Sequence, residues 1–152
     1  MAKQVPAPRT LAEKIDHLFT VVHPAQGEYT HEQVAKAIEE AGGPTISATY
    51  LWQLRKGQRD NPTKRHLEAL SSFFGVPASY FFDEETTAAV DAELELLAAM
   101  RDPQVRQLAT RAAGLSPDTL KTLLGMVERA RQLEGLPESE AQPSRRARRK
   151  QA

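Results

Sequence analysis

The side chains between residues 47 and 56 have the types and the spacing that reading the bases of DNA requires. Placed 100° apart on a helix, they separate into a side with Leu51 and Leu54 and an opposite side with threonine, tryptophan, glutamine and lysine. Glutamine can form paired hydrogen bonds with adenine, and threonine or a small alanine can touch a thymine methyl. The segment therefore predicts a helix that enters the major groove. Its predicted base contacts are Ala48, Thr49, Trp52 and Gln53.

Positive charge is concentrated around this helix. Residues 45–66 hold five basic residues and one acidic residue, a net charge of +4, although the whole chain has 20 of each. Cations at the groove rims and backbone N–H groups at helix starts are the groups that bind phosphate. The predicted phosphate contacts are Thr30, Lys56, Arg59, Thr63, Lys64 and Arg65. For Arg59 and Lys64 the alternative is an ordinary solvated charge.

Two other side chains of this helix have two interpretations each. Trp52 either contacts a base or sugar, or folds back onto Tyr50 or the following loop as partial core. The first alternative has support because an exposed tryptophan often marks an interface. Arg55 either contacts DNA or pairs with an acidic side chain of its own domain. The residue types alone leave both alternatives open.

Capping residues and apolar periodicity predict the helices that must position these side chains. Thr10 with Glu13, and Thr30 with Gln33, have the spacing of capping boxes, and apolar residues then recur at helical intervals. Further helices are predicted to begin near residues 47, 63, 77, 83, 102 and 116, and those near 47 and 77 are predicted to be short. No segment has the alternation of a strand. We therefore expect an all-α fold that contains a helix-turn-helix unit.

The last predicted helix, which begins at residue 117, carries more apolar surface than one core requires. Its apolar side chains cover an arc of about 180°, whereas facing a single core takes about 100°. We therefore expect an isologous homodimer, the alternative being packing onto the first domain. The predicted dimer-interface residues are Leu120, Leu123, Leu124, Met126, Val127, Ala130 and Leu133.

Three segments follow from these patterns. We expect a helix-turn-helix DNA-binding domain over residues 1–83, a small helical dimerisation domain over 84–135, and a basic, disordered tail over 136–152. The cluster between Arg145 and Lys150 is either a solvated tail or a mobile arm that adds salt-sensitive DNA affinity.

Composition argues against several other classes of protein. The chain of 152 residues has no cysteine and no apolar run that approaches a bilayer span, so we expect a soluble intracellular protein. The histidines lack the His-x-x-x-His spacing of a helical zinc site, and glycine-rich phosphate loops and Gly-x-Ser-x-Gly elbows are missing. We expect no catalytic residues, no metal and no cofactor, with the histidines at the surface. These are His17, His23, His31 and His66.

The segment from Ile46 to Gly57, with the following Pro62, resembles the recognition helix and exit turn of Cro/repressor-type (XRE) regulators, which have the lambda-repressor-like fold. Over residues 10–135 the chain resembles more closely a family of mycobacterial nucleoid-associated regulators. The shared features include Tyr50-Leu51, Gln53-Leu54-Arg55, Gly57, Arg59, Asn61-Pro62, Met100-Arg101-Asp102, Val105-Arg106 and Glu134-Gly135.

This resemblance implies base contacts, a phosphate-binding loop and dimerisation through the carboxy-terminal helices. The residues to which it assigns DNA contact are Ala48, Thr49, Gln53, Lys56 and Arg59. Two departures affect the docking angle on DNA: the common pattern has glutamate where Arg55 stands, and the stretch over 36–46 is longer than usual.

We therefore expect a homodimeric transcriptional regulator or nucleoid-associated protein of the cytoplasm that binds double-stranded DNA. The alternative is an adaptor or antitoxin that uses the seven acidic residues of 67–100 to bind a basic partner.

Overall fold

The structure is a computed structural model that describes residues 8–137. These residues form seven α-helices and one 3₁₀ helix, with no strand among them, which confirms the all-α fold. The helices are α1 (Leu11–Val21), α2 (His31–Glu40), α3 (Ala48–Arg55), α4 (Lys64–Phe74), the 3₁₀ helix (Ala78–Phe81), α5 (Glu84–Ala99), α6 (Pro103–Ala112) and α7 (Pro117–Leu133). Of the predicted tail over residues 136–152, the part from residue 138 onward lies outside the described residues.

The helix starts form as the capping signals predict. The Thr10 hydroxyl accepts the Glu13 N–H, while the Glu13 carboxylate accepts the Thr10 N–H at 2.8 Å. Thr30 and Gln33 form the same reciprocal pair at α2. The predicted fifth helix is a single 3₁₀ turn, because α5 is already capped at Asp83 and leaves room for only one turn after Pro77.

A compact unit over residues 8–105 contains the buried core. Phe19 is fully buried at its centre and packs edge-on against Phe74 with 5.1 Å between ring centres. Burial of such large apolar side chains drives the assembly of α1 to α4. The other fully buried apolar residues are Ile15, Leu18, Val34, Leu51, Leu54, Leu70 and Tyr80.

Helix α5 packs within this unit through a polar network. Asp91 is buried and accepts hydrogen bonds from Arg9 Nη1 and from Tyr80 Oη, each at 2.7 Å. Burial, and then the hydrogen bond to Asp91, raise the pKa of Tyr80, so its hydroxyl remains a donor. The first compact unit therefore extends to Val105. The division of function at residue 83 stays a prediction.

The expectation that the histidines lie at the surface is wrong, because all four are half-buried. His17 is half-buried, with Nε2 3.3 Å from Asp91 Oδ1, and His31 is half-buried against the ring of Phe19. Burial lowers the pKa of both rings; at His17 the Asp91 charge opposes this shift without reversing it. His17 and His31 each lie next to a buried residue of their helix or of a neighbouring helix. The helical period shows that such positions are near the core, but it does not show which buried side chains they contact.

A second unit, over residues 106–137, comprises most of α6 together with α7. Helix α7 is capped by Ser116, whose hydroxyl accepts the Thr119 N–H at 3.3 Å, and it starts with Pro117 as predicted. Most of its apolar side chains are exposed, including Leu124 at 68%, Met126 at 65% and Leu133 at 84%. Leu120 and Leu123 are half-buried.

No helix within residues 8–137 combines the length and the apolar character needed to cross a lipid bilayer.

Candidate nucleic-acid interface

Helix α3 is held in the fold along one side. Leu51 and Leu54 are fully buried, and the Ser47 hydroxyl accepts the Tyr50 N–H at 3.0 Å, which caps the helix start. Because both leucines lie on the same side of the helix, the opposite side faces solvent. This exposed side is the one whose residue types predict entry into the major groove.

The four predicted base contacts lie on this exposed side or at its edge. Thr49 and Trp52 are exposed, Trp52 over 40% of its surface, and Ala48 and Gln53 are half-buried. The alternative for Trp52 is that it folds onto Tyr50. The ring of Tyr50 packs edge-on against His66, with 5.3 Å between ring centres. Contact of these four side chains with bases stays a prediction.

The loop after α3 folds back on the end of the helix. Lys56 caps that end, and Gly57 has a left-handed φ of 74°, a conformation that residues with a Cβ rarely adopt. The Gln53 carbonyl oxygen then accepts the N–H groups of Gln58 at 2.9 Å and Arg59 at 3.2 Å. These bonds keep the exposed residues Lys56 and Arg59 at the same end of α3 as Gln53.

The starts of α2 and α4, where Thr30 and Thr63 lie as predicted, differ in charge. Each threonine caps its helix and is exposed. The first turn of α2 contains Glu32, which suits the positive end of the helix dipole, whereas α4 begins with Lys64 and Arg65 and has no acidic residue in its first turn. Two cations at this end oppose the dipole, and a bound anion would relieve that opposition.

In the structure, Lys64 and Arg65 have neighbours that the sequence pattern does not indicate. Lys64 Nζ lies 3.7 Å from Glu68 Oε1, one turn along α4, and both side chains are exposed. Arg65 and Glu68 also line a surface pocket of about 330 Å³ between α4 and the end of α2. A phosphate at Lys64 would therefore compete with Glu68, an exposed pair whose attraction is weak.

Arg55 points into its own domain. Its Nε donates to Asp16 Oδ1 at 2.6 Å and its Nη2 to Glu28 Oε2 at 3.2 Å, while its Cζ lies 4.8 Å from the centre of the Phe19 ring. Its side chain is only 13% exposed. Burial disfavours the guanidinium charge, but the hydrogen bonds that Arg55 donates to Asp16 and Glu28 outweigh burial and raise the pKa of Arg55. Of the two alternatives for Arg55, the structure has the internal ion pair.

His31 lies beside this arrangement at the first position of α2. Its ring centre is 5.1 Å from that of Phe19. Burial, followed by the nearby charges of Arg55 and Lys56, lowers its pKa from 6.5. His31 is therefore uncharged at neutral pH and adds no cation to the start of α2.

Replacing Arg55 with methionine is expected to lower the free energy of unfolding by about 1 to 2 kcal/mol. Hydrogen bonds to charged groups are worth about 1.5 to 3 kcal/mol, but less where the partners reach solvent, as both carboxylates do. Urea unfolding at neutral pH measures the change. The exposed Arg59→Met variant is the control and should stay within about 0.5 kcal/mol of the parent protein. Equal losses in both variants would contradict the anchoring role of Arg55.

The sequence interpretation missed both partners of Arg55. Asp16 lies on α1 next to the buried Ile15, and Glu28 follows Gly27 in the loop before α2. An acidic residue next to buried apolar residues is a signal that a cation of the same domain pairs with it. Several acidic residues of the chain have such a position, so the signal does not select the partners. The choice among them depends on how α1 crosses α3.

Comparisons with known proteins show one group of relatives. The chain is 41% identical over 128 residues to the nucleoid-associated protein EspR of Mycobacterium tuberculosis, in strain H37Rv and in strain CDC 1551. The aligned region covers 84% of this chain and 96% of each relative. No protein-family model matches the chain. The similarity agrees with the expected resemblance to mycobacterial nucleoid-associated regulators.

Proposed function

The chain belongs to the family of the nucleoid-associated protein EspR, and from this membership and the exposed side of α3 we propose that it is a nucleoid-associated, DNA-binding regulator. It binds double-stranded DNA with α3 in the major groove. The observation that carries the proposal is a short helix held by Leu51 and Leu54 on one side, with Thr49 and Trp52 exposed on the other.

The proposed contacts divide into two groups with different effects. The base contacts on α3 select sequence, because base edges in the major groove present distinct donors and acceptors. The phosphate contacts hold the helix in register and act on all sequences alike. The base contacts are Ala48, Thr49, Trp52 and Gln53, and the phosphate contacts are Thr30, Lys56, Arg59, Thr63, Lys64 and Arg65.

We propose that the protein acts as a homodimer through α7. Met126, Ala130 and Leu133 follow one another at helical spacing and are all exposed. A second copy that covers this side removes apolar surface from water, and a two-fold axis then presents two α3 helices to DNA. Half-sites on one face of the duplex would be separated by about 34 Å or a multiple of it. The other proposed interface residues are Leu120, Leu123, Leu124 and Val127.

The acidic segment supports the alternative of a protein-binding adaptor less well. Glu84 pairs with Lys14 of α1 at 2.9 Å, and Asp91 pairs with Arg9, just before α1, at 2.7 Å, so both hold α5 to the amino-terminal part of the unit. These carboxylates are already neutralised within the unit. The charge available to a basic partner is correspondingly smaller than the sequence count indicates.

The proposal is tested by comparing Gln53→Ala with Lys56→Ala on DNA selected by the intact protein. Gln53→Ala should lose about 1 to 3 kcal/mol of discrimination at one base pair, because one pair of hydrogen bonds to a base disappears. Lys56→Ala should weaken binding to all sequences by a similar factor. Titrations of the selected duplex and of its single-base-pair variants measure both effects. The same loss profile for the two variants would overturn the division of roles.

A further inference from the structure

Helix α5 is attached to the rest of its unit at its start, middle and end. At the start, Lys14 Nζ reaches Glu84 Oε1 at 2.9 Å, and Thr87 Oγ1 donates to the Tyr80 carbonyl at 2.6 Å. In the middle, Asp91 accepts from Arg9 and Tyr80. The 16 residues of α5 extend about 24 Å, so a helix held at points along this length cannot pivot about any one of them.

Arg101 makes an attachment at the end of α5. Its Nη2 donates to the Val21 carbonyl oxygen at 2.7 Å, and its Nη1 lies 3.3 Å from His23 Nε2. Val21 is the last residue of α1, and the last turn of α1 has no basic residue of its own. Arg101 therefore supplies both a hydrogen bond and the positive charge that a helix carboxyl end favours.

The hydrogen bond of His23 Nδ1 sets which ring nitrogen can accept from Arg101. His23 Nδ1 lies 2.8 Å from the Pro24 carbonyl oxygen, which can only accept a hydrogen bond, so Nδ1 carries the proton. Nε2 then has a lone pair directed to Arg101 Nη1. Val21 and His23 thus offer two acceptors to one guanidinium, an arrangement that a planar fork satisfies better than a lysine.

The same helix α1 is also tied to α3. Arg55 of α3 bonds to Asp16 of α1, and Arg101 at the end of α5 bonds to the carboxyl end of α1. Only residues 100–102 separate α5 from α6, and Asp102 caps α6 by accepting the Gln104 N–H at 2.7 Å. The direction in which the chain leaves α5 is therefore set relative to α3.

We propose that Arg101 is a positioning residue that sets the separation between the two DNA half-sites that the dimer prefers. This inference rests on the proposed function, because it requires DNA binding by α3 and dimerisation. With Arg101 in place, α5 is fixed along its length, so the residues that lead into α6 have a fixed position and direction relative to α3. Without it, α5 keeps the attachments at its start and middle but loses the bond from Arg101 to Val21, so its carboxyl end can bend away from α1 and the two α3 helices accept a wider range of separations.

The test compares Arg101→Ala with Arg111→Ala, an exposed arginine of α6, in the full chain. A half-site selected with the parent protein is placed once in one duplex, and twice in a series of duplexes whose separation increases in single base pairs from about 8 to about 24. The parent protein and Arg111→Ala should prefer the best separation over the worst by about tenfold or more. Arg101→Ala should reduce that preference to about threefold or less while binding the single half-site as before.

Each outcome has a distinct meaning. If the parent protein fails to bind the single half-site, the proposed function is wrong. If it binds but shows no preferred separation, or if Arg101→Ala retains the parental preference, the role of Arg101 is wrong while the proposed function stands. Should Arg101→Ala fold poorly, His23→Ala removes an acceptor of Arg101 and should broaden the preference in the same direction.

A spectroscopic measurement separates a loosened α5 from a general loss of structure. The chain has no cysteine, so spin labels can be attached at Glu39→Cys on α2 and Ala99→Cys on α5, both exposed positions of the first unit. The distribution of label distances should be narrow in the otherwise parental chain and broader with Arg101→Ala, at an unchanged helix content. Distributions of equal width would overturn the proposal.

Discussion

Replacing Met126 with glutamate should convert the proposed dimer to monomers and lower the affinity for a duplex with two half-sites by about 10²- to 10⁴-fold. That factor is what two linked binding units gain over one, without any new contact. Met126 is 65% exposed, so the substitution leaves the core of the monomer intact. In an isologous interface it introduces the same charge twice across the two-fold axis. Sedimentation equilibrium and titration of the paired-site duplex measure the two effects.

Gln132→Glu is the matched control for this prediction. Gln132 lies on the same helix and is exposed, but it points about 120° away from Met126 around the helix axis. The control introduces the same glutamate and should leave both the dimer and the affinity unchanged. A Met126→Glu protein that remains dimeric would show that this side of α7 is not the interface.

Raising the salt concentration from about 50 to about 200 mM should weaken binding to a single half-site by about 150-fold. The logarithm of affinity falls with the logarithm of salt with a slope of about −0.9 for each phosphate neutralised, which amounts to about −3.6 for four cations. The four cations are Lys56, Arg59, Lys64 and Arg65, and all are exposed. Fluorescence anisotropy of a labelled duplex over a salt series gives the slope.

Removing one of these cations tests the assignment further. Arg59→Gln should reduce the slope by about 0.9, because one phosphate contact and its released counterion are lost. Lys36→Gln is the control: Lys36 is exposed on α2 and lies 3.8 Å from Glu40. It should leave the slope unchanged. A salt-independent affinity of the parent protein would contradict DNA binding through these residues.

The helices could be predicted from the sequence because the signals that define them act within one or two turns. Ser47 bonds to the N–H three residues later, and Gly57 takes the left-handed conformation directly after the cap at Lys56. The exposed side of α3 follows from the same local geometry, since Leu51 and Leu54 both have to be buried. The predicted base contacts are therefore those that the helical period places on this side of α3 or at its edge.

Long-range pairs could not be predicted in this way. Arg55 had two possible roles in the sequence, and its partners Asp16 and Glu28 lie 39 and 27 residues away. Arg101 and its acceptor Val21 are 80 residues apart. The same holds for helix α5. Its apolar spacing predicted a helix, but its packing on α1 depends on the buried Asp91, whose partners are distant in the sequence.

The chain by itself thus determined which segments become helices, where each one begins and ends, and which side of α3 remains in solvent. The tertiary structure alone decided that the Arg55 charge is used internally, that His31 covers Phe19, and that α5 extends the first unit to Val105. The physical reason is the range of the forces. Capping and helical periodicity depend on neighbours a few residues away, whereas ion pairs and burial depend on which distant helices meet.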